Sequence, residues 1–136
     1  MSNVALDSSV IVPALTRVHE HHGLCADHIN RATVTLQSVM LETLSTLTRL
    51  PSGLAVELPI ALALFRSNFA LPIVSLSEKQ FVAACDEFAG TGIAGGRMYD
   101  ALIGWSARAH EATLVTRDRR ALPTYAALGV NVQLLA

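Results

Sequence analysis

Val4-Ala5-Leu6-Asp7-Ser8-Ser9-Val10-Ile11 reads as a short buried strand, Val4–Asp7, running into a helix over Val10–Arg17. Four residues of mostly apolar character end on a carboxylate, and Ser8 or Ser9 is suited to cap the helix that follows. The same alternation continues along the chain. His19-Glu20-His21-His22-Gly23 breaks the first helix from a second over Leu24–Arg31. Thr33–Leu36 is β-branched and apolar, a second strand. Ser38 is placed to cap a helix that runs to Leu50, where Pro51-Ser52-Gly53 stops it. Leu54–Asn68 reads as a further helix with Pro59 disturbing it or marking a late start. Leu71–Leu76 is a strand, held to an edge by Pro72. Ser77-Glu78-Lys79-Gln80 is a capping box opening a helix to Phe88. Gly90–Gly96 is a loop, Arg97–His110 a helix, Thr113–Thr116 a strand and Val130–Leu134 the last strand.

Strands alternating with helices call for crossover connections, and hence an α/β fold with a mainly parallel sheet. The 136 residues fit one domain, 1–136, without linker or repeat. Ligands of such sheets sit beyond the carboxyl ends of strands, where the strand order switches. Asp7 and Asp118 lie at or just past two such ends.

Composition narrows the class. Hydrophobic residues make up 51% and charged ones 15%, too apolar for a disordered chain. No apolar run reaches the roughly 18–20 residues of a membrane span. The N-terminus carries no basic-then-apolar signal, and Cys25 and Cys85 are isolated, so a cytoplasmic protein with reduced thiols is expected. The net charge of −1 comes from 10 basic and 11 acidic residues. Nucleic acid is not excluded, because steering follows the local field and not the total.

Four acids stand out: Asp7, Glu42, Asp100 and Asp118. Asp7 can serve as a helix cap. Glu42 can be an ordinary exposed helix residue, and Asp118 can pair with Arg119 and Arg120. Asp100 has no such local role, because Met98-Tyr99-Asp100-Ala101-Leu102-Ile103-Gly104 surrounds it with apolar or small residues. A first-turn helix position favours its charge by up to about 1 kcal/mol, less than the several kcal/mol that burial costs. If the four converge, pairs at roughly 4–5 Å repel by about 3–4 kcal/mol at an effective dielectric near 20. Protonation or a bound divalent cation relieves that repulsion. His19, Glu20, His21 and His22 are read as mobile surface side chains, and Tyr99 and Trp105 as core.

Taken together, Ala5-Leu6-Asp7-Ser8-Ser9-Val10-Ile11, Met40-Leu41-Glu42, Gly95-Gly96-Arg97-Met98-Tyr99-Asp100-Ala101-Leu102-Ile103 and Leu114-Val115-Thr116-Arg117-Asp118-Arg119-Arg120 resemble the PIN-domain ribonucleases, in particular the VapC-type toxins of bacterial toxin–antitoxin pairs. The resemblance implies a three-layer α/β/α sandwich, Mg²⁺ or Mn²⁺ held by Asp7, Glu42, Asp100 and Asp118, and endonucleolytic cleavage of RNA. It also implies inhibition by a cognate antitoxin. One position departs: relatives often carry Asn where Asp118 stands and an acid where this chain has Ala121. An all-carboxylate donor set suits Mg²⁺ or Mn²⁺ better than zinc. Ser9 and Thr116 are expected to orient the carboxylates, and Arg97, Arg117, Arg119 and Arg120 to contact phosphate. Sparse surface charge with abundant Leu, Ala and Val suggests apolar faces reserved for an antitoxin helix and a second copy of the chain. The rival reading is a non-enzymatic, Rossmann-like module binding a nucleotide or phosphate. It lacks support from a GxGxxG after the first strand, and the only lysine is Lys79.

Overall fold

The computed structural model describes residues 2–136. Five strands, all paired in parallel, carry the core: β1 (Asn3–Leu6), β2 (Thr35–Leu36), β3 (Ile73–Val74), β4 (Ala112–Thr116) and β5 (Val132–Leu134). They pair as β1-β4-β5 and β2-β3. Backbone hydrogen bonds from Thr33 and Val34 to the Val4 carbonyl stitch the two pieces along β1. The order is therefore 3-2-1-4-5, with its switch between β1 and β4. Register places Leu6 opposite Val115, and the Asp7 amide donates to the Val115 carbonyl at 2.9 Å. Asp7 and Thr116 thus leave the sheet side by side.

The helices are α1 (Ser8–Leu15), α2 (His22–Ala26), α3 (Gln37–Leu47), α4 (Leu58–Asn68), α5 (Glu78–Gly90), α6 (Arg97–Ala109) and α7 (Leu122–Ala127). They flank the sheet as a three-layer α/β/α sandwich, with α1–α4 packing in one series and α5–α7 in another. Ala5, Val10, Val39, Leu47, Phe65 and Leu114 are among the fully buried side chains that join the sheet to α1, α3 and α4. Ala84 and Phe88 of α5 meet Ala101 of α6 and Leu128 in a smaller cluster. No helix among the described residues is long and apolar enough to cross a membrane.

Several local expectations change. Helix α1 starts at Ser8 with Asp7 as its cap position, so Ser8 and Ser9 lie inside the helix and are not its caps. Likewise Leu36, not Ser38, precedes α3, and the Ser38 hydroxyl is buried without a partner. Pro59 marks the late start of α4 at Leu58. The capping box at Ser77 and Gln80 forms as expected, both hydrogen bonds present. The second helix is only five residues, with a separate 3₁₀ turn at Ile29–Arg31. Helix α7 carries no apolar periodicity long enough to announce it, and Pro123 at its start is its one sequence signal. Tyr99 is 74% exposed and is not core.

Gly104 is where α6 comes closest to its neighbours. A Cβ there would lie 2.8 Å from Tyr125 Cδ1 and 2.9 Å from Val130 Cγ2. Overpacking of this kind costs about 1–3 kcal/mol, against about 1 kcal/mol gained from alanine's helix propensity. Gly104→Ala is expected to lower the guanidinium midpoint with an unchanged m-value; an unchanged or higher midpoint would show that Tyr125 and Val130 yield freely.

Candidate active site

Asp7 occupies the cap position of α1 without spending its carboxylate on capping, because the amides of Val10 and Ile11 reach its backbone carbonyl instead. The side chain is only 4% exposed. Its Oδ2 accepts from Ser9 Oγ at 2.7 Å and from Thr116 Oγ1 at 2.9 Å. Those two hydroxyls lie 3.2 Å apart and in turn accept from the next backbone: Arg117 N–H reaches Ser9 Oγ at 2.9 Å, and Asp118 N–H reaches Thr116 Oγ1 at 3.0 Å. A buried carboxylate is thus fixed by two neutral donors, and among the described residues no cation is paired to it.

Glu42, on α3, is held by a partner the sequence did not single out. Ser8 Oγ donates to Glu42 Oε1. The two serines after Asp7 thus serve two different acids: Ser8 points to Glu42, and Ser9 turns back on Asp7. That division follows from helical geometry, since adjacent residues point about 100° apart.

Asp100 projects from the first turn of α6, its side chain 13% exposed, and Asp118 follows β4 at 28%. Arg120 bridges them. One of its guanidinium nitrogens lies 3.2 Å from Asp100 Oδ2 and the other 3.1 Å from Asp118 Oδ2, while its backbone N–H donates to Asp118 Oδ1 at 3.0 Å. Asp118 does pair with a neighbouring arginine, and the same arginine also serves Asp100.

The charges of the four acids act on one another. Burial pushes the Glu42 carboxyl up; its bond from Ser8 opposes this, and the charges of Asp7, Asp100 and Asp118 add to it. Asp100 is also raised, first by burial, with Arg120 opposing and Asp118 and Asp7 contributing. The buried Tyr125 hydroxyl is pushed far up by burial, and all four carboxylates act in the same direction. Among the described residues no three His, Cys, Asp or Glu side chains form a ready-made metal cage. The donors nonetheless suit a hard divalent cation: all are carboxylate oxygens, and two are disfavoured as anions in the absence of one.

The other arginines are placed differently. Pro13 inside α1 has no N–H for the Ser9 carbonyl, and Arg117 supplies the missing donor through its guanidinium at 3.3 Å. Arg97 Nε donates to Thr124 Oγ1 at 3.1 Å. Arg119 is exposed. In the histidine segment, His22 Nδ1 lies 2.9 Å from the Pro13 carbonyl oxygen and His21 lies near Glu20. Trp105 is partly buried, under the Arg108 guanidinium.

Residues 4–128 match the family model described as PIN domain. The chain belongs to the PIN-domain family. Among curated relatives of this PIN domain, ribonuclease VapC27 of Mycobacterium tuberculosis is 37% identical over 98% of this chain and 97% of its own length. Ribonuclease VapC40 of the same species is 34% identical over 97% and 98%. Among solved structures, the DNA-bound VapBC of Salmonella typhimurium shares the fold with a TM-score of 0.66 at 17% identity, covering 98% of each chain. VapBC2 of Rickettsia felis, bound to a DNA fragment from its promoter, gives 0.67 at 20%, also covering 98% of each.

The raised carboxyls set a pH dependence. Folding favours their neutral forms, so each contributes stability that is present below about pH 4 and lost as pH rises through its raised pKa. In EDTA, Glu42→Gln is expected to be more stable than the parent at neutral pH, the gap closing towards about pH 4. Urea titrations across that range check this; a gap independent of pH would assign the effect to packing.

Proposed function

We propose that this chain, as a single domain over 1–136, is a divalent-metal-dependent endoribonuclease that acts as the toxin of a type II toxin–antitoxin pair. One observation carries the reading: Asp7, Glu42, Asp100 and Asp118, from four separated segments, feel one another's charge at the switch point of a PIN sheet. The names of its full-length relatives, both ribonucleases, point the same way.

Asp7, Glu42, Asp100 and Asp118 would hold Mg²⁺ or Mn²⁺. When bound, such an ion supplies water activation and neutralises charge on the scissile phosphate and the leaving oxygen. The chain's own residues set the stage. Ser9 and Thr116 fix the Asp7 carboxylate, and Ser8 fixes Glu42, so each presents its remaining lone pairs in one orientation. Arg97, Arg117, Arg119 and Arg120 would contact phosphates of the strand; Arg97, Arg119 and Arg120 are exposed, while Arg97 also bonds Thr124 and Arg117 the Ser9 carbonyl.

The partner proposals rest on surface. Leu41, Leu58 and Ile60 are exposed, and a groove between α3 and α4 is lined by Leu41, Leu44, Val56, Leu58 and Leu62. An antitoxin helix and a second copy of the chain would cover such apolar area, in the cytoplasm.

Asp7→Asn and Asp100→Asn are expected to lower RNA cleavage by at least about 100-fold with the fold retained, and Ser9→Ala by about 10- to 100-fold, as for residues that orient metal ligands. EDTA should abolish activity and Mn²⁺ restore it. Expression without a partner should arrest bacterial growth, and Asp7→Asn should relieve the arrest. A folded Asp100→Asn protein with full RNase activity would refute the site.

A further inference from the structure

Arg120 sits where the acidic site most needs positive charge. Its guanidinium bridges Asp100 and Asp118 at 3.2 and 3.1 Å, yet its side chain is 69% exposed. No other cationic side chain among the described residues makes an ion pair with any of the four acids. Its main chain lies in the 3₁₀ turn Arg119–Ala121, where its own N–H is held by Asp118 Oδ1. The exposed side chain borders solvent, into which it can turn.

We propose that Arg120 is the resident counter-ion of the acidic site: it neutralises Asp100 and Asp118 in the metal-free protein, withdraws when a divalent cation binds, and is then presented to a substrate phosphate. The inference rests on the reading of the four acids as a metal site. Asp100 and Asp118 cannot give the same lone pairs to the guanidinium and to an ion, so the two compete. A guanidinium released beside a newly neutralised site keeps its own charge, and a planar fork of donors matches a phosphate's oxygens. Competition on one side and delivery on the other make metal and polynucleotide binding mutually reinforcing, with a coupling that must be reciprocal.

The test is calorimetric Mn²⁺ binding at neutral pH to the full chain and to its Arg120→Ala and Arg120→Lys forms, with circular dichroism confirming their fold. Removal of the competitor should tighten Mn²⁺ binding on the order of fivefold in Arg120→Ala, the worth of surface ion pairs of this kind. Arg120→Lys, a point charge without the fork, should fall between. Fluorescence anisotropy with a single-stranded DNA oligonucleotide, which carries the same phosphate backbone, reads the second half. Mn²⁺ should raise its affinity for the parent more than for Arg120→Ala. If the parent binds no Mn²⁺, the metal reading itself fails. Where the parent binds and Arg120→Ala binds equally or more weakly, Arg120 is no counter-ion. An equal Mn²⁺-dependent gain in oligonucleotide affinity for both proteins overturns the delivery.

Discussion

The pair of hydroxyl bonds on Asp7 Oδ2 ties together the end of β1, the start of α1 and the end of β4. Ser9 belongs to the helix and Thr116 to the strand, and each also receives a backbone N–H from the segment after β4. A buried carboxylate normally demands a charged partner. Here the demand is met by neutral donors that fix its direction without cancelling its charge. The remainder of the site inherits that choice. Glu42 and Asp100 lie near Asp7, and their own carboxyls are pushed up first by burial and further by its charge.

Proline inside a helix usually marks a fault, and α1 shows how the fault is used. Pro13 leaves the Ser9 carbonyl without its helical donor, and Arg117, just after β4, fills the gap. The residue that orients Asp7 is therefore gripped at its hydroxyl by the Arg117 amide and at its carbonyl by the Arg117 guanidinium. A proline within a helix, a basic residue and a catalytic candidate form one mechanical unit at the switch point.

The acids stood out because a lone carboxylate is costly in an apolar helix or at the end of an apolar strand. Asp100 is the clearest case. The order of strands and helices was legible for a similar reason, since apolar runs and breakers alternate cleanly. What escaped was short or relational. Ser8 looks only like a cap in sequence, and the earlier start of the helix turns it into a tether for Glu42. Ser38 suffers the same shift at α3. Tyr99 sits at helical spacing with apolar neighbours, yet its side of α6 faces outward, which spacing alone does not decide. Arg120 gave no sign that one guanidinium would serve acids on two different segments, and α7 is too short to carry a period.

The long return from β1 to β4 has a kinetic meaning. Asp7 meets Thr116 across 109 positions of chain, and parallel pairing of this kind closes a large loop before any contact rewards it. No fragment emerging from a ribosome holds the site until nearly the last strand is available. Topology thus keeps the four acids apart in any nascent fragment that ends before β4 and Asp118, and lets them meet only once β4 can pair with β1.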